Sequence, residues 1–171
     1  PHDRLLRQVQ LAELVRRQPD WHRRYVYGHS LGGALAIELA SSLAPDELRG
    51  VIIESTFTSI PDLVRGMRWG WVPGLDLAVT QRFDSMTRIA RVTTPLLILH
   101  GTADNVVPHT MADELYRQAG SHDKRLVKIE GGTHSGARGG SDGRAAILEF
   151  VSAPLPTATT GAAAATSAVA D

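Results

Sequence analysis

Short apolar runs, each followed by a segment of helical spacing, recur along this chain. Between Arg4 and Arg16, Leu5, Leu6, Val9, Leu11, Leu14 and Val15 return at the spacing that gathers side chains on one face of a helix. Pro19 sets an end to that helix, because the residue before a proline is pushed out of the helical region. Arg24-Tyr25-Val26-Tyr27 is a β-rich run that stops at Gly28, and Leu31 to Leu43 returns to helical spacing. Val51-Ile52-Ile53, Leu96-Leu97-Ile98-Leu99 and Leu126-Val127-Lys128-Ile129 predict three more strands, with helices over Met111 to Ala119 and Arg144 to Val151. Strands that alternate with helices and are apolar on both faces belong to a parallel sheet covered on each side by helices. The expected fold class is α/β, with a mostly parallel sheet and helices on both faces.

Two segments depart from this rhythm. Thr58 to Val92 is longer and irregular, with Pro61, Trp69, Gly70, Trp71, Pro73 and Gly74, and its expected form is a small cap. Trp69, Trp71, Val72 and Leu75 read as packing residues more readily than as the lining of an acyl pocket. From Ala153 to Asp171 stand eight Ala, four Thr and two Pro, too little apolar bulk to offset the entropy of ordering the segment. The expected organisation is one domain over residues 1–152, with a cap at 58–92, and a disordered Ala/Thr-rich tail over 153–171.

Composition narrows the function more than the fold. The 171 residues hold 18 Lys and Arg against 18 Asp and Glu, so no broad positive field exists for nucleic acid or an anionic membrane. The absence of cysteine excludes a disulfide framework, a thiolate zinc site and a cysteine nucleophile. No uncharged run is apolar enough to serve as a transmembrane segment. Compartment and oligomeric state do not follow from these features, and the cytoplasm is only a default.

The chemical signal is Gly28-His29-Ser30-Leu31-Gly32-Gly33, a Gly-x-Ser-x-Gly sequence between a predicted strand and a predicted helix. A serine on so sharp a turn takes strained backbone angles and stands above the sheet, and its neighbours must be small for strand and helix to approach. The start of the following helix aims the Leu31 N–H at an oxyanion formed on Ser30. A serine hydroxyl is a poor nucleophile at neutral pH and needs a histidine base held by a carboxylate. Asp104, in His100-Gly101-Thr102-Ala103-Asp104-Asn105-Val106-Val107-Pro108, follows the third strand, and His134, in Gly131-Gly132-Thr133-His134-Ser135-Gly136, follows the fourth. In an open parallel sheet the carboxyl ends of the strands form one edge, where ligands bind. Ser30, Asp104 and His134 can meet there.

Other uses compete for the same residues. Asp104 can bond its own loop backbone, and His100, at a strand end, reads as a packed, hydrogen-bonded residue. His29 lies inside the turn and helps to shape it, His109 reads as exposed at a helix start, and His2, His22 and His122 have no supporting partners. A zinc site of His100, Asp104 and His134 is allowed by ligand type but has no further support. The hydroxyls in Glu54-Ser55-Thr56-Phe57-Thr58-Ser59 read as caps of the next helix.

Taken together, the turn, the His-Gly-x-x-Asp-x-x-Val-Pro segment and the Gly-Gly-x-His segment resemble the α/β-hydrolase superfamily over about Val9 to Val151. Glu54 to Ser59 and Phe83-Asp84-Ser85 further resemble its small-cap, serine aminopeptidase-like members. The order serine, aspartate, histidine along the chain is that of this arrangement. The resemblance implies Ser30 as nucleophile, His134 as general base and then acid, Asp104 as the orienting carboxylate and the Leu31 N–H as one oxyanion donor. It implies an ester, thioester or amide of a small-molecule acyl substrate, cleaved through an acyl-enzyme without a cofactor. Such proteins carry further strands before the turn, and a loop there supplies a second oxyanion donor. The expectation is therefore an N-terminally incomplete fold, a fragment of a longer enzyme with reduced or no activity alone. Two alternatives stand beside it: a serine peptidase, and a non-catalytic module or pseudoenzyme.

Overall fold

A computed structural model of the chain describes residues 24–66, 83–137 and 139–153. The helix expected over Arg4 to Arg16, the cap residues Trp69, Trp71, Val72 and Leu75, and the tail from Pro154 onward lie outside the described residues. In chain order the elements are β1 (Tyr25–His29), α1 (Leu31–Ala40), β2 (Gly50–Glu54), α2 (Ile60–Gly66), α3 (Ser85–Ile89), β3 (Leu96–Gly101), α4 (Thr110–Gln118), β4 (Lys124–Ile129) and α5 (Ser141–Ser152).

The strands lie in the order β1-β2-β3-β4, and every neighbouring pair is parallel. Val26 stands beside Val51, Val51 beside Leu96 and Ile98 beside Leu126. Alternate residues therefore serve opposite faces. Val51, Ile53, Leu96 and Ile98 pack with Ala36 and Ile37 of α1, Ile89 of α3 and Ala112 and Leu115 of α4. Ile52, Leu97 and Leu99 pack on the other face with Ala146, Ile147, Phe150 and Val151 of α5. Every residue of β2 and β3 is buried, which is why those two runs read as continuously apolar. A third cluster, Ala34, Phe57, Val107 and Met111 with Ile60, Leu63 and Phe83, joins segments that follow the strand ends.

Element ends differ from the sequence pattern for local reasons. β1 continues through Gly28 to His29, because Gly28 pairs with Ile53 and His29 with Glu54. α1 stops at Ala40 rather than Leu43, where the hydroxyls of Ser41 and Ser42 donate back to the carbonyls of Glu38 and Leu39, a side-chain competition that disfavours helix continuation. Within the expected cap, α2 begins after Ser59, whose Oγ accepts from Asp62 N–H at 3.1 Å. α3 begins after Asp84, whose carboxylate accepts from Thr87 N–H at 3.0 Å. Among the described residues no helix is long and apolar enough to cross a membrane.

Candidate active site

Ser30 joins β1 to α1 with φ 53° and ψ −120°, a conformation that costs a non-glycine residue about 1–3 kcal/mol. The end of β2 holds it there. Ser30 N–H donates to the Glu54 carbonyl at 2.8 Å, and Thr56 Oγ1 donates to the Ser30 carbonyl at 2.8 Å. Gly33 N–H donates to the same carbonyl at 2.9 Å. A Cβ on Gly28 would run into the Gly32 carbonyl, and one on Gly33 would lie 2.6 Å from Thr56 Cβ. A Cβ on Gly32 would meet nothing within 4 Å. Strand and helix therefore approach through Gly28 and Gly33, and the second glycine of the Gly-x-Ser-x-Gly pattern is not the one that the packing requires. The Leu31 N–H opens α1 with no acceptor among the described residues, and its side chain is 46% exposed.

Asp104 bonds both its own loop and His134, one on each oxygen. Oδ1 accepts from Val106 N–H and Val107 N–H, each at 2.9 Å, which closes the loop after β3. Oδ2 lies 2.9 Å from Nδ1 of His134. A carboxylate is acceptor-only, so the His134 proton sits on Nδ1 and Nε2 is the acceptor. The Asp104 side chain is shielded from solvent, and that of His134 is 19% exposed. Burial pushes the Asp104 carboxyl up, but the Val107 N–H, the His134 ring and the Val106 N–H favour its charged form and hold it below the ordinary carboxylate value.

His100 lies against the same carboxylate. It is fully buried, with Nε2 3.0 Å from the Val107 carbonyl and 3.3 Å from Asp104 Oδ2. A carbonyl only accepts, so Nε2 carries the proton and Nδ1 is bare; that Nδ1 has no partner. Burial holds the His100 imidazole below its ordinary value, against the Val107 carbonyl and the Asp104 charge. This is the packed, hydrogen-bonded histidine expected from the sequence. Among the described residues no group of three or more His, Asp or Glu side chains is arranged to hold a metal.

Three residues to which the sequence assigned no catalytic role adjoin the site. His29 reaches across to the His134 loop, with Nε2 2.7 Å from the His134 carbonyl oxygen and ring centroids 4.9 Å apart. Its position next to Ser30 was the available signal. Glu54 and Thr56 are the other two, and they hold the Ser30 backbone. Ser59 caps a helix as expected, whereas Ser55 is buried at φ 49°. His109 is half-buried rather than exposed, because it precedes α4 beside the loop that Asp104 closes. His122 is exposed, and His2 and His22 lie outside the described residues. Among the described residues no hydrogen bond joins Ser30 Oγ to His134.

Known proteins are similar to this chain in sequence and fold. The family described as serine aminopeptidase, S33, matches residues 65–137, the stretch that holds Asp104 and His134. The uncharacterized protein YfhR of Escherichia coli K12 is 32% identical over 148 residues, covering 83% of this chain and 50% of YfhR. The chain thus spans about half the length of the curated relatives it matches. Among solved structures, the monoacylglycerol lipase of Paleococcus ferrophilus superposes with a TM-score of 0.57 at 21% identity, over 84% of this chain and 72% of the lipase. The acylaminoacyl peptidase of Pyrococcus horikoshii superposes with a TM-score of 0.66 at 18% identity, over 88% of this chain and 27% of the peptidase. The fold is that of an α/β-hydrolase. The chain is a member of the α/β-hydrolase superfamily.

Proposed function

We propose that the protein is a serine hydrolase in which Ser30, His134 and Asp104 act as nucleophile, base and orienting acid. The observation that carries this reading is the 2.9 Å pairing of His134 Nδ1 with Asp104 Oδ2, in a loop that touches His29, the residue next to the strained serine. With Nδ1 protonated, Nε2 takes the proton of Ser30 as Oγ attacks an acyl carbon. Asp104 then faces the imidazolium and stabilises it. The Leu31 N–H donates to the oxyanion of the tetrahedral intermediate. His134 returns the proton to the leaving group, and a water molecule repeats the cycle on the acyl-enzyme. The Ser30 to His134 hydrogen bond belongs to the substrate complex, since catalytic bonds are often long in the free enzyme and tighten on binding.

The substrate class is a small acyl ester, thioester or amide. A peptidase reading has its own support in the name of the matched family and in the Pyrococcus horikoshii neighbour, but fold analogy does not choose between the two. Assays of acyl esters and aminoacyl amides side by side separate them. The reading itself is tested with a fluorophosphonate probe, which forms a covalent adduct with an activated serine. Labelling is expected in the parent protein and absent after Ser30→Ala. Labelling that persists in Ser30→Ala overturns the assignment.

A further inference from the structure

The turn that bears Ser30 carries an imidazole that this mechanism leaves idle. β1 and β4 are the first and last strands of the described sheet, with β2 and β3 between them. No ladder therefore sets the distance between Ser30, at the end of β1, and His134, in the loop after β4. That loop is fastened to the loop after β3: Gly131 N–H donates to Thr102 Oγ1 at 2.9 Å, Ala103 N–H donates to the Gly132 carbonyl at 3.0 Å, and His134 Nδ1 donates to Asp104. Among the described residues the one hydrogen bond between the His134 loop and β1 comes from His29. Its Nε2–H donates to the His134 carbonyl at 2.7 Å, and its ring lies against the His134 ring at 4.9 Å and 55°. One side chain thus restrains both the backbone and the ring of His134.

We infer that His29 is a positioning residue, a clasp that ties the His134 loop to the strand carrying Ser30. The inference rests on the Ser30, His134 and Asp104 reading for its catalytic consequence, but the clasp itself is a property of the fold. His134 has two restraints of different kinds. Asp104 fixes the rotation of the ring, and His29 fixes the approach of the whole loop towards β1. Removing the second leaves the tautomer intact and lets Nε2 drift from Ser30 Oγ. A misplacement of about 1 Å at such a contact lowers rate by about a hundredfold.

Two variants divide the contacts. His29→Gln presents an amide N–H at the reach of Nε2 and loses the ring, whereas His29→Phe keeps a ring and loses the donor. In His29→Phe, kcat for an acyl ester and the rate of fluorophosphonate labelling are expected to fall about tenfold to a hundredfold, with KM within about twofold. His29→Gln is expected to recover to within about threefold of the parent. The second readout does not use activity: the His134 Nδ1–H proton, followed by nitrogen-edited NMR, should exchange with water about tenfold faster in His29→Phe than in the parent or His29→Gln. Parent-like rates and exchange in His29→Phe overturn the inference. So does an equal loss in both variants that tracks a common fall in Tm, which marks a merely structural residue. If Ser30→Ala still labels, the hydrolase reading fails by itself. The exchange rates then decide whether His29 holds His134.

Discussion

Ser30 and Ser55 close neighbouring parallel strands, at φ 53° and 49° respectively. Each has its N–H bonded to the carbonyl of the next strand, Ser30 to Glu54 at 2.8 Å and Ser55 to Leu99 at 3.0 Å. The segments after them differ. Ser30 is half-buried and opens α1, so its side chain stands at a helix N-terminus beside the exposed Leu31. Ser55 leads into the buried run Thr56, Phe57 and Thr58, and its own Oγ is shut away without a partner. A positive φ at a strand end thus re-aims a side chain, but the next element decides whether that side chain reaches solvent or the core. Strain by itself does not make a nucleophile.

The largest test of this contrast is removal of each hydroxyl. Ser30→Ala should abolish both labelling and turnover. Ser55→Ala should label at the parent rate, with stability changed by less than about 1 kcal/mol, because the deleted Oγ makes no hydrogen bond in the fold. A loss of labelling in Ser55→Ala without a fall in Tm would erase the distinction between the two strand ends. Next in size is Asp104→Asn. Its Oδ1 still accepts from Val106 and Val107, so the loop should stay closed, while the change at Oδ2 disturbs the His134 tautomer. The expected loss in kcat is up to about ten-thousandfold with Tm nearly unchanged, and a parent-like kcat would assign the acid to another carboxylate.

The tightness of the Ser30 turn is tested with glycines. Gly28→Ala and Gly33→Ala drive a methyl into the Gly32 carbonyl and the Thr56 side chain, an overpacking worth about 1–3 kcal/mol. Gly32→Ala meets open space and should stabilise α1 by about 0.5–1 kcal/mol. Denaturant titrations of the three variants check this order. Equal destabilisation by all three would mean that the pattern, rather than the packing, sets the turn.

The α/β class and the central strands were legible because β2 and β3 are buried on both faces, which writes itself as Val51-Ile52-Ile53 and Leu96-Leu97-Ile98-Leu99. The short helices α2 and α3 left no helical period, since seven and five residues are too few for one to register, and only the cap before α2 was legible. Ser30, Asp104 and His134 were legible from their places after strands. The pairing of His134 with Asp104 follows from that edge, whereas the contact of His29 with His134 joins residues 105 apart, and local spacing carries no trace of it. For Asp104, a loop-closing role and a catalytic one read as rivals along the chain. In three dimensions the carboxylate has two oxygens, one on the loop backbone and one on His134, so the two readings are not exclusive.

The smallest effect expected concerns His100, the buried neighbour of Asp104. Burial holds its folded imidazole below the ordinary value of about 6.5, so the unfolded chain takes up a proton first as pH falls. Its contribution to stability is fully present above that ordinary value and is lost as pH drops from there towards the folded value. Asp104 opposes this loss, while His109 and His134 reinforce it. His100→Gln keeps an N–H donor for the Val107 carbonyl and cannot titrate. Denaturant midpoints measured between about pH 7.5 and pH 5 should therefore fall more steeply in the parent than in His100→Gln. The depressed Asp104 carboxyl has the same sign in a lower window, contributing stability above the ordinary carboxylate value that is lost as pH falls through the folded one. The two slopes are separable because Asp104→Asn removes the lower and steepens the upper, where the Asp104 charge no longer opposes the loss. Parallel curves for parent and His100→Gln would show that folding leaves the His100 imidazole unshifted, and would overturn the effect ascribed to its burial.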